Sequence, residues 1–333
     1  MPNYLKLIPQ WIAAVIRGTP RGPTRRTSTT PFLVIGHRGA PCVEVENTLA
    51  SLRRAVEQDG ANGLEVDLCL TKDQQIVLWH DWDPDAPTAR LREAGMEPGV
   101  CARPCPPEGE AFRRPICMLT LDEVCAHFGY RAKDGDQQSR DCIPRLEEVL
   151  DWVVRRREVA ALFFDMKVPA TRIDLVPPMM EGINGLLARY RPPATLIFEC
   201  ADVDVLAAMK AHSPQHHYAL DVEIPPGLVL NPATSSAASA ALAHDNSYAT
   251  LARPRASTLA PWTTYHRVVR HDLRLLTHLR RHAPGRPLPA LISFTIDAEE
   301  ELRTLLTMGV TGIQTNRPDV LRKLADAMGV RLA

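Results

Sequence analysis

Short apolar segments alternate with helix-like segments from residue 32 to the C-terminus, and this alternation constrains the fold more than any other feature of the chain. Residues 32–35 and 160–166 are short apolar runs, which are typical of strands buried on both faces. Residues 146–154 and 299–308 carry apolar side chains at helical spacing. A regular succession of strands and helices predicts a parallel sheet with helical crossovers. We therefore expect an α/β fold, a TIM-like (β/α)8 barrel.

The length of 333 residues accommodates one such barrel, which commonly needs about 250 residues, together with additional segments. We assign residues 1–30 to an N-terminal extension and residues 31–333 to the barrel domain. Residues 64–79 form a predicted strand hairpin. Residues 82–143 follow it and contain seven prolines that interrupt regular structure, so we predict an insertion there, with a short helix near residues 121–128, that covers the barrel mouth. The Ala-, Ser- and Pro-rich residues 225–261 are predicted to form a helix and loops.

Charge and cysteine content narrow the functional class. Lys plus Arg and Asp plus Glu both number 39, so no global field attracts the chain to nucleic acid, and phosphate recognition has to be local. The eight cysteines are a small fraction of a long chain, unlike the dense framework of a small secreted domain, which favours reduced thiols and a cytoplasmic protein. A zinc site or disulfide among the cysteines of the insertion is a weaker alternative, because no second pair has the spacing of a zinc finger.

The N-terminal segment leaves two interpretations open. Residues 5–16 have apolar side chains at near-helical spacing and are followed by arginines, a pattern that also suits a membrane surface. Pro9 interrupts the pattern and no small-residue cleavage site follows it, so we favour an extension that packs on the barrel over a membrane anchor or a signal peptide. No apolar run reaches the roughly 18 residues of a transmembrane helix.

Acidic residues occur at the predicted C-terminal ends of two strands. Glu65 and Asp67 are two residues apart on the strand of residues 64–70, so both side chains leave the same face. Two adjacent carboxylates repel unless a cation lies between them, and Mg²⁺ or Ca²⁺ is the natural partner. Asp165 and Lys167 repeat this spacing at residues 160–166. They either pair with each other or, because strand ends converge at a barrel mouth, supply a third metal ligand and a cation that faces a phosphate.

His37 and Arg38 follow the first predicted strand, and His80 ends the hairpin, which places all three at the same mouth. Cleavage of a phosphodiester needs a base for the nucleophile, an acid for the leaving oxygen and positive charge on the phosphoryl oxygens. Histidine suits both proton-transfer roles because its pKa is near neutrality. The guanidinium of Arg38 matches phosphate geometry, and a metal adds Lewis acidity. The residues therefore predict a metal-dependent phosphodiesterase.

Several short segments have a specific order and spacing: Gly36-His37-Arg38-Gly39-Ala40, Glu46-Asn47-Thr48, Glu65-Val66-Asp67, Thr71-Lys72-Asp73 and His80-Asp81. They resemble the N-terminal signature of the glycerophosphodiester phosphodiesterase family. Residues 143–148 resemble the family's Ile-Pro-Thr-Leu-Glu-Glu motif, and residues 309–318 resemble its closing motif. The resemblance thus extends from about residue 34 to the C-terminus and becomes weaker in the middle.

This resemblance implies a TIM barrel that hydrolyses glycerophosphodiesters to sn-glycerol 3-phosphate and an alcohol, as a phosphoric diester hydrolase (EC 3.1.4.-). It implies a small-molecule substrate and a divalent metal, Mg²⁺ or Ca²⁺. The residues carried over are His37 and His80 as the acid/base pair, Glu65, Asp67 and Asp165 for the metal, Arg38 and Lys167 for the phosphate, Glu46 to orient the site, and Phe294 where the family often has a tryptophan against the glycerol.

Three departures from the family pattern concern the metal and the substrate. Asp165-Met166-Lys167 replaces the usual Glu-Ile-Lys, which shortens one ligand by a methylene, Phe294 replaces the tryptophan, and Glu199-Cys200 replaces the usual Ser-Phe. Two alternatives remain: a phospholipase D-like lyase that acts on a lipid headgroup and releases a cyclic phosphate, and a catalytically silent phosphate-binding barrel. The alcohol, the metal and the oligomeric state are left open.

Overall fold

The computed structural model describes residues 31–133, 138–139, 143–224, 232–253 and 261–333, and it leaves out the side chains of residues 138–139 and 261–264. The predicted N-terminal extension therefore lies outside the described residues. Parts of the insertion and of the Ala-, Ser- and Pro-rich stretch lie outside them as well.

Twelve strands are present in the described residues. They are, in chain order, β1 Leu33–His37, β2 Gly63–Leu70, β3 Ile76–Leu78, β4 Ala102–Cys105, β5 Gly129–Ala132, β6 Gln138–Ser139, β7 Ala161–Met166, β8 Thr195–Cys200, β9 His217–Glu223, β10 Tyr248–Ala252, β11 Ala290–Phe294 and β12 Gly312–Thr315. Eight of these strands pair in parallel in the order β1-β12-β11-β10-β9-β8-β7-β2, and β2 pairs with β1 again to close the barrel. The predicted TIM-like barrel is confirmed.

Helices connect the strands as the alternating pattern predicts. They are α1 Leu49–Arg53, which continues as a π-helical turn over Arg54–Gln58, α2 Pro87–Glu93, α3 Leu121–His127, α4 Leu146–Val153, α5 Val176–Tyr190, α6 Val203–His212, α7 Ala237–Ala243, α8 Pro261–His282, α9 Glu299–Met308 and α10 Pro318–Ala327. The Thr48 hydroxyl accepts a hydrogen bond from Ser51 N at the start of α1. No helix among these described elements combines the length and the apolar character needed to cross a bilayer.

The core has two layers because successive strand side chains point to opposite faces. Phe163 points into the barrel and contacts a small apolar cluster there, whereas Phe164 packs outward against the layer beneath the helices. The inward face of β7 continues from Phe163 to Asp165, and Asp165 is the register partner of Asp67 on β2. The barrel interior is thus apolar in its lower part and acidic at the C-terminal ends of the strands.

Two barrel strands were not predicted from the sequence. β9 lies between α6 and the Ala-, Ser- and Pro-rich stretch, and β10 lies within that stretch, which we predicted to form a helix and loops. The two alanines in the β10 sequence Tyr-Ala-Thr-Leu-Ala give little strand preference, and β9 and β10 have seven and five residues. They form because β8 and β11 each present an unpaired edge that only a strand can satisfy.

The insertion has more regular structure than its prolines predict. It contains helix α2 and an antiparallel sheet in the order β4-β5-β6, as well as the predicted helix α3. Trp79, at the end of the β3 hairpin, packs against Phe128 and Tyr130 of the insertion with ring centroids 5.7 and 5.0 Å apart. The insertion therefore has its own small apolar core against the hairpin. Most of its prolines lie between the elements, where they do not interrupt backbone pairing.

Candidate active site

The predicted site residues converge at the C-terminal end of the barrel. Strands β2 and β7 supply the acidic residues, β1 ends at His37, and His80 follows β3. They surround a cavity of about 410 Å³ whose walls include His37, Arg38, His80, Trp82, Asp165, Lys167, Asp221 and Phe294. A larger groove of about 850 Å³ lies on the outer surface between α1, α4 and α5 and contains none of these residues. The predicted catalytic and phosphate-binding side chains therefore line the smaller cavity.

Three carboxylates lie close together beside this cavity, and one of them, Asp165, lines it. One oxygen from each of Glu65, Asp67 and Asp165 lies within 4.8 Å of the other two. Glu65 and Asp67 are each only 1% exposed, and Oε1 of Glu65 accepts no hydrogen bond. Buried oxygens without a donor are costly, and a hard divalent cation would satisfy them. The donor set therefore fits Mg²⁺ or Ca²⁺.

The electrostatics of these carboxylates indicate a shortage of positive charge. Burial and the neighbouring charges of Asp67 and Asp165 raise the pKa of Glu65 well above its ordinary value. Burial also raises the pKa of Asp165, although Lys167 opposes this effect. Burial alone would raise the pKa of Asp67 too, but Lys167 and Arg38 hold it below its usual range. The cation pairs with Asp67 are thus strong, while Glu65 is the carboxylate that most needs another positive charge.

Lys167 and Arg38 supply the positive charge that is present. Lys167 Nζ lies 2.9 Å from Oδ1 of Asp67 and also forms an ion pair with Asp165. From the sequence we expected Asp165 and Lys167 either to pair with each other or to converge with the other acids at the barrel mouth, and the structure shows both. The Arg38 backbone is left-handed, with φ 54°, and its N–H donates to Glu65 Oε2 at 2.9 Å. This backbone turn directs the Arg38 side chain back into the cluster.

The Arg38 guanidinium is almost completely engaged by carboxylates. Its Nη1 donates to Glu46 at 2.9 Å and to Glu97 at 3.2 Å, and its Nε lies 2.9 Å from Asp67 Oδ2. Only 2% of Arg38 is exposed. We expected the Arg38 guanidinium to face a phosphate. Arg38 does line the cavity, but its carboxylate partners hold the guanidinium in place. Glu46 accordingly orients Arg38.

His37 is held by a residue that sequence reasoning did not assign. Its Nδ1 lies 2.8 Å from Oδ1 of Asn316, whose own amide donates to Asp297 at 2.9 Å. Because that amide is already used, Asn316 presents an acceptor, so Nδ1 of His37 carries the hydrogen and Nε2 keeps a lone pair. Nε2 lies 3.9 Å from Oε2 of Glu65. Burial and the Arg38 charge lower the pKa of His37 to about 3.

His80 is anchored differently, by the residue that follows it and by the insertion. Its Nδ1 lies 2.7 Å from Oδ1 of Asp81 and 3.1 Å from Nη1 of Arg92. Burial, Arg38 and Lys167 lower the pKa of His80 well below its ordinary value. Both histidines line the cavity and are held by hydrogen bonds at Nδ1, which leaves Nε2 for proton exchange, as general acid–base chemistry requires.

Further residues complete the site, and sequence reasoning assigned only some of them. Asn47 belongs to the Glu46-Asn47-Thr48 motif but was given no functional role from the sequence, and it donates from Nδ2 to Asp67 Oδ2 at 2.7 Å. Asn316 belongs to the closing motif, which was the one available signal for it. Phe294 forms part of the cavity wall, as its position in the family pattern implies. Glu199 is buried in the barrel, where Gln314 donates to both of its oxygens at 3.0 and 3.1 Å.

Comparison with known proteins places this geometry in context. Residues 37–320 match the model of the glycerophosphoryl diester phosphodiesterase family. The chain is 24% identical over 320 residues to a glycerophosphodiester phosphodiesterase of Bacillus subtilis, covering 94% of this chain and 91% of that protein.

Two solved structures show the same fold. An Oleispira antarctica phosphodiesterase in complex with the product sn-glycerol-3-phosphate has a TM-score of 0.60 at 18% identity, covering 89% of this chain and 97% of that one. A glycerophosphodiester phosphodiesterase from Parabacteroides distasonis has a TM-score of 0.58 at 18% identity, covering 91% of this chain and 100% of that one.

Proposed function

This chain belongs to the glycerophosphoryl diester phosphodiesterase family of phosphoric diester hydrolases, and we propose that it hydrolyses glycerophosphodiesters to sn-glycerol 3-phosphate and an alcohol, with a divalent cation and the pair His37 and His80. The observation that carries this proposal is the convergence of two separately anchored histidines at one cavity with a carboxylate triad, of which Asp165 lines the cavity. The relative that binds sn-glycerol-3-phosphate supports the assignment of the product.

The charge balance of the mouth supports a metal. Six carboxylates and three cations lie there: five of the carboxylates form ion pairs with the cations, and Glu65 accepts a hydrogen bond from Arg38 N instead, so the carboxylates outnumber the cations by three. The carboxylates are Glu46, Glu65, Asp67, Asp81, Glu97 and Asp165, and the cations are Arg38, Arg92 and Lys167. An anionic phosphodiester would be repelled by such a site, so we assign a bound Mg²⁺ or Ca²⁺ to Glu65, Asp67 and Asp165. When bound, the ion supplies Lewis acidity to the phosphoryl oxygens.

The two histidines divide the proton transfers in this proposal. One accepts the proton of the attacking hydroxyl as its oxygen forms a bond to phosphorus, and the other donates a proton to the alcohol oxygen as the second P–O bond breaks. The attacking hydroxyl is that of water or the neighbouring hydroxyl of the glycerol itself; in the second case water then adds to phosphorus and opens the cyclic phosphate, which gives sn-glycerol 3-phosphate. Lys167, at the edge of the cavity, stabilises the negative charge of the phosphoryl oxygens. Phe294 offers an apolar wall to the glycerol carbons.

The insertion contributes the opposite wall in this proposal. Trp82 lies directly after His80 and Asp81 and lines the cavity, so we assign to it and to the surrounding residues of the insertion the selection of headgroup size. A bulky alcohol has to pass this wall to place its oxygen near the histidines.

A product assay tests the proposal. The chain is incubated with glycerophosphocholine, glycerophosphoethanolamine and a lysophospholipid, with Mg²⁺ or Ca²⁺ and with excess chelator, and the products are followed by phosphorus NMR. Formation of sn-glycerol 3-phosphate that stops with chelator supports the proposal. A cyclic phosphate as the final product would favour the lyase alternative, and binding without turnover would favour the silent barrel. Full activity in chelator would reject the metal.

A further inference from the structure

Arg92 connects the insertion to the centre of the site. It lies on helix α2 of the insertion, outside the strands of the barrel, and its side chain is only 2% exposed. The side chain forms ion pairs with Glu46 from the β1–α1 loop, with Asp81 after the hairpin and with Glu97 of the insertion. A buried arginine with three carboxylate partners from three segments has a fixed position, because its planar fork cannot rotate without breaking a pair.

Asp81 and Arg92 both contact Nδ1 of His80, but they favour different protonation states of that nitrogen. The carboxylate of Asp81, 2.7 Å from Nδ1, requires a hydrogen on that nitrogen, whereas the N–H of Arg92, 3.1 Å away, would require a lone pair. The geometry resolves this conflict in favour of Asp81. Its Oδ1 faces the ring of His80, and its Oδ2 accepts the hydrogen bond from Nη1 of Arg92. The carboxylate therefore bridges the ring and the guanidinium.

We propose that Arg92 is a positioning residue: by holding Asp81 in its ionised form, it fixes the Nδ1–H tautomer of His80 and so leaves the Nε2 lone pair facing the cavity. In this tautomer His80 takes up and releases a proton at Nε2. In the other tautomer Nε2 already carries the hydrogen, and the ring accepts a proton only at Nδ1, away from the substrate. The catalytic consequence rests on the proposed function, while the tautomer itself does not.

The environment of Asp81 makes a cation necessary for this role. Burial raises the pKa of Asp81 to about 6, and Arg92 is the strongest of the charges that oppose the rise. With a neutral side chain at position 92, Asp81 would be protonated near neutral pH and would donate to Nδ1, which moves the ring hydrogen to Nε2. The other charged or titratable groups that interact with Asp81 or His80 include His37, Arg38, Glu46, Asp67, Cys69, Tyr130 and Lys167.

The tautomer can be measured directly by NMR on the full chain labelled with ¹⁵N-histidine, with His80→Ala used to assign the signals of His80. We expect Nδ1–H in the wild type and in Arg92→Lys, which keeps the charge, and Nε2–H in Arg92→Met. Because Arg92→Met leaves buried carboxylates without a partner, Asp81→Asn provides a second variant that keeps Arg92. There the asparagine oxygen accepts from Arg92 and its amide donates to Nδ1, which also gives Nε2–H.

A wild type with the Nε2–H tautomer would overturn the proposal. Retention of Nδ1–H in a folded Arg92→Met or in Asp81→Asn would overturn it as well. If the wild type shows no activity on glycerophosphodiesters, the proposed function fails, but these spectra still decide the inference about Arg92.

Kinetics separate positioning from a purely structural role. We expect Arg92→Met and Asp81→Asn each to lower kcat/KM for glycerophosphocholine by about 10²-fold or more, and the double variant to be no worse, because both remove the same function. Losing the cation raises the pKa of Asp81, so the acidic limb of the pH profile should move to higher pH in Arg92→Met and stay in place in Arg92→Lys. A loss that is equal at every pH would contradict the role.

Arg113 offers a matched control within the insertion. It is also largely buried and forms ion pairs with Asp85 and Glu93, none of which belongs to the cluster at the mouth. Arg113→Met should therefore keep the wild-type pH profile and the Nδ1–H tautomer of His80. An effect of Arg113→Met as large as that of Arg92→Met would overturn the inference, because any loss of an ion pair in the insertion would then have the same consequence.

Discussion

Replacing Glu65 with glutamine should separate metal binding from the stability of the fold. In the cation-free protein Oε1 of Glu65 accepts no hydrogen bond, and Oε2 accepts one from Arg38 N, which a glutamine oxygen can also accept. Asp67 differs, because it is close to Lys167 and Arg38 at 2.9 Å each. Removing the charge of Glu65 therefore relieves repulsion, whereas removing that of Asp67 leaves two buried cations without their partner.

The distances in the cluster set the magnitude. For unit charges about 4.8 Å apart at an effective dielectric constant of about 20, Coulomb's law gives a repulsion of about 3 kcal/mol. Glu65 has two such neighbours, Asp67 and Asp165, and the nearby cations offset part of this repulsion. We expect cation-free Glu65→Gln to have a free energy of unfolding within about 1 kcal/mol of the wild type, or higher. Cation-free Asp67→Asn should lose about 3 kcal/mol or more.

The metal supplies the second magnitude. A ligand at about 100 times its Kd stabilises the native state by about 2.7 kcal/mol. For roughly 300 ordered residues, an unfolding entropy of about 2.1 cal/mol/K per residue converts this into a rise in Tm of about 4 °C. Wild-type protein should show this rise with Mg²⁺ or Ca²⁺, and Glu65→Gln should not. Glu199→Gln, a buried glutamate whose oxygens Gln314 already satisfies, is the matched control and should keep the rise.

The pH dependence of the metal effect has a defined sign. The raised pKa of Glu65 means that the folded, cation-free protein binds a proton that the unfolded chain releases. The stabilisation from Glu65 is thus fully present below its unfolded pKa and is lost as the pH rises through its folded pKa. Since a bound cation replaces this proton, the metal-induced rise in Tm should increase with pH in the wild type. Thermal unfolding at several pH values, with chelator and with metal, measures these effects. A full metal-induced rise in Glu65→Gln, or a cation-free loss as large as that of Asp67→Asn, would refute the reasoning.

Four further outcomes are expected. His37→Ala and His80→Ala should each lower kcat/KM by about 10²-fold or more, and a p-nitrophenyl diester should rescue only the variant that lacks the proton donor; near wild-type rates in both would contradict acid–base catalysis by the pair. Because burial lowers the pKa of His37, the limb of the kcat/KM profile that reports its deprotonation should fall below about pH 6. Trp82→Ala should change the ratio of kcat/KM between glycerophosphocholine and a lysophospholipid without changing the metal-induced rise in Tm, and an unchanged ratio would contradict the role of Trp82 in selecting headgroup size. Asn62→Ala should lower the free energy of unfolding by about 2 kcal/mol with kcat/KM retained, because the Asn62 side chain accepts from Val34 N at 2.7 Å and donates to the Phe32 carbonyl at 3.1 Å; unfolding in denaturant measures this loss.

Local periodicity carried much of the information about the barrel. Alternating strands and helices predicted the fold class because each element has to bury one face, and the period of two along a strand directed Glu65 and Asp67 to the same side. Parallel strands in a closed barrel have their C-terminal ends at one mouth, so the convergence of Asp165 and His37 with these acids also followed from the sequence. The catalytic and metal-binding roles of these residues stay predictions that the experiments above test.

Only the tertiary structure decided which residues hold the site in place. Strand β10 has little strand preference of its own and forms because its neighbours in the barrel need a partner. Asn316 reaches His37 across 279 residues of sequence, and Arg92 reaches Glu46 across 46. Such contacts leave no periodic signal, because a polar side chain at one position is compatible with solvent, with a cap or with a buried ion pair. The closed barrel and the packed insertion select one of these, since a buried guanidinium is tolerated only where carboxylates from other segments surround it.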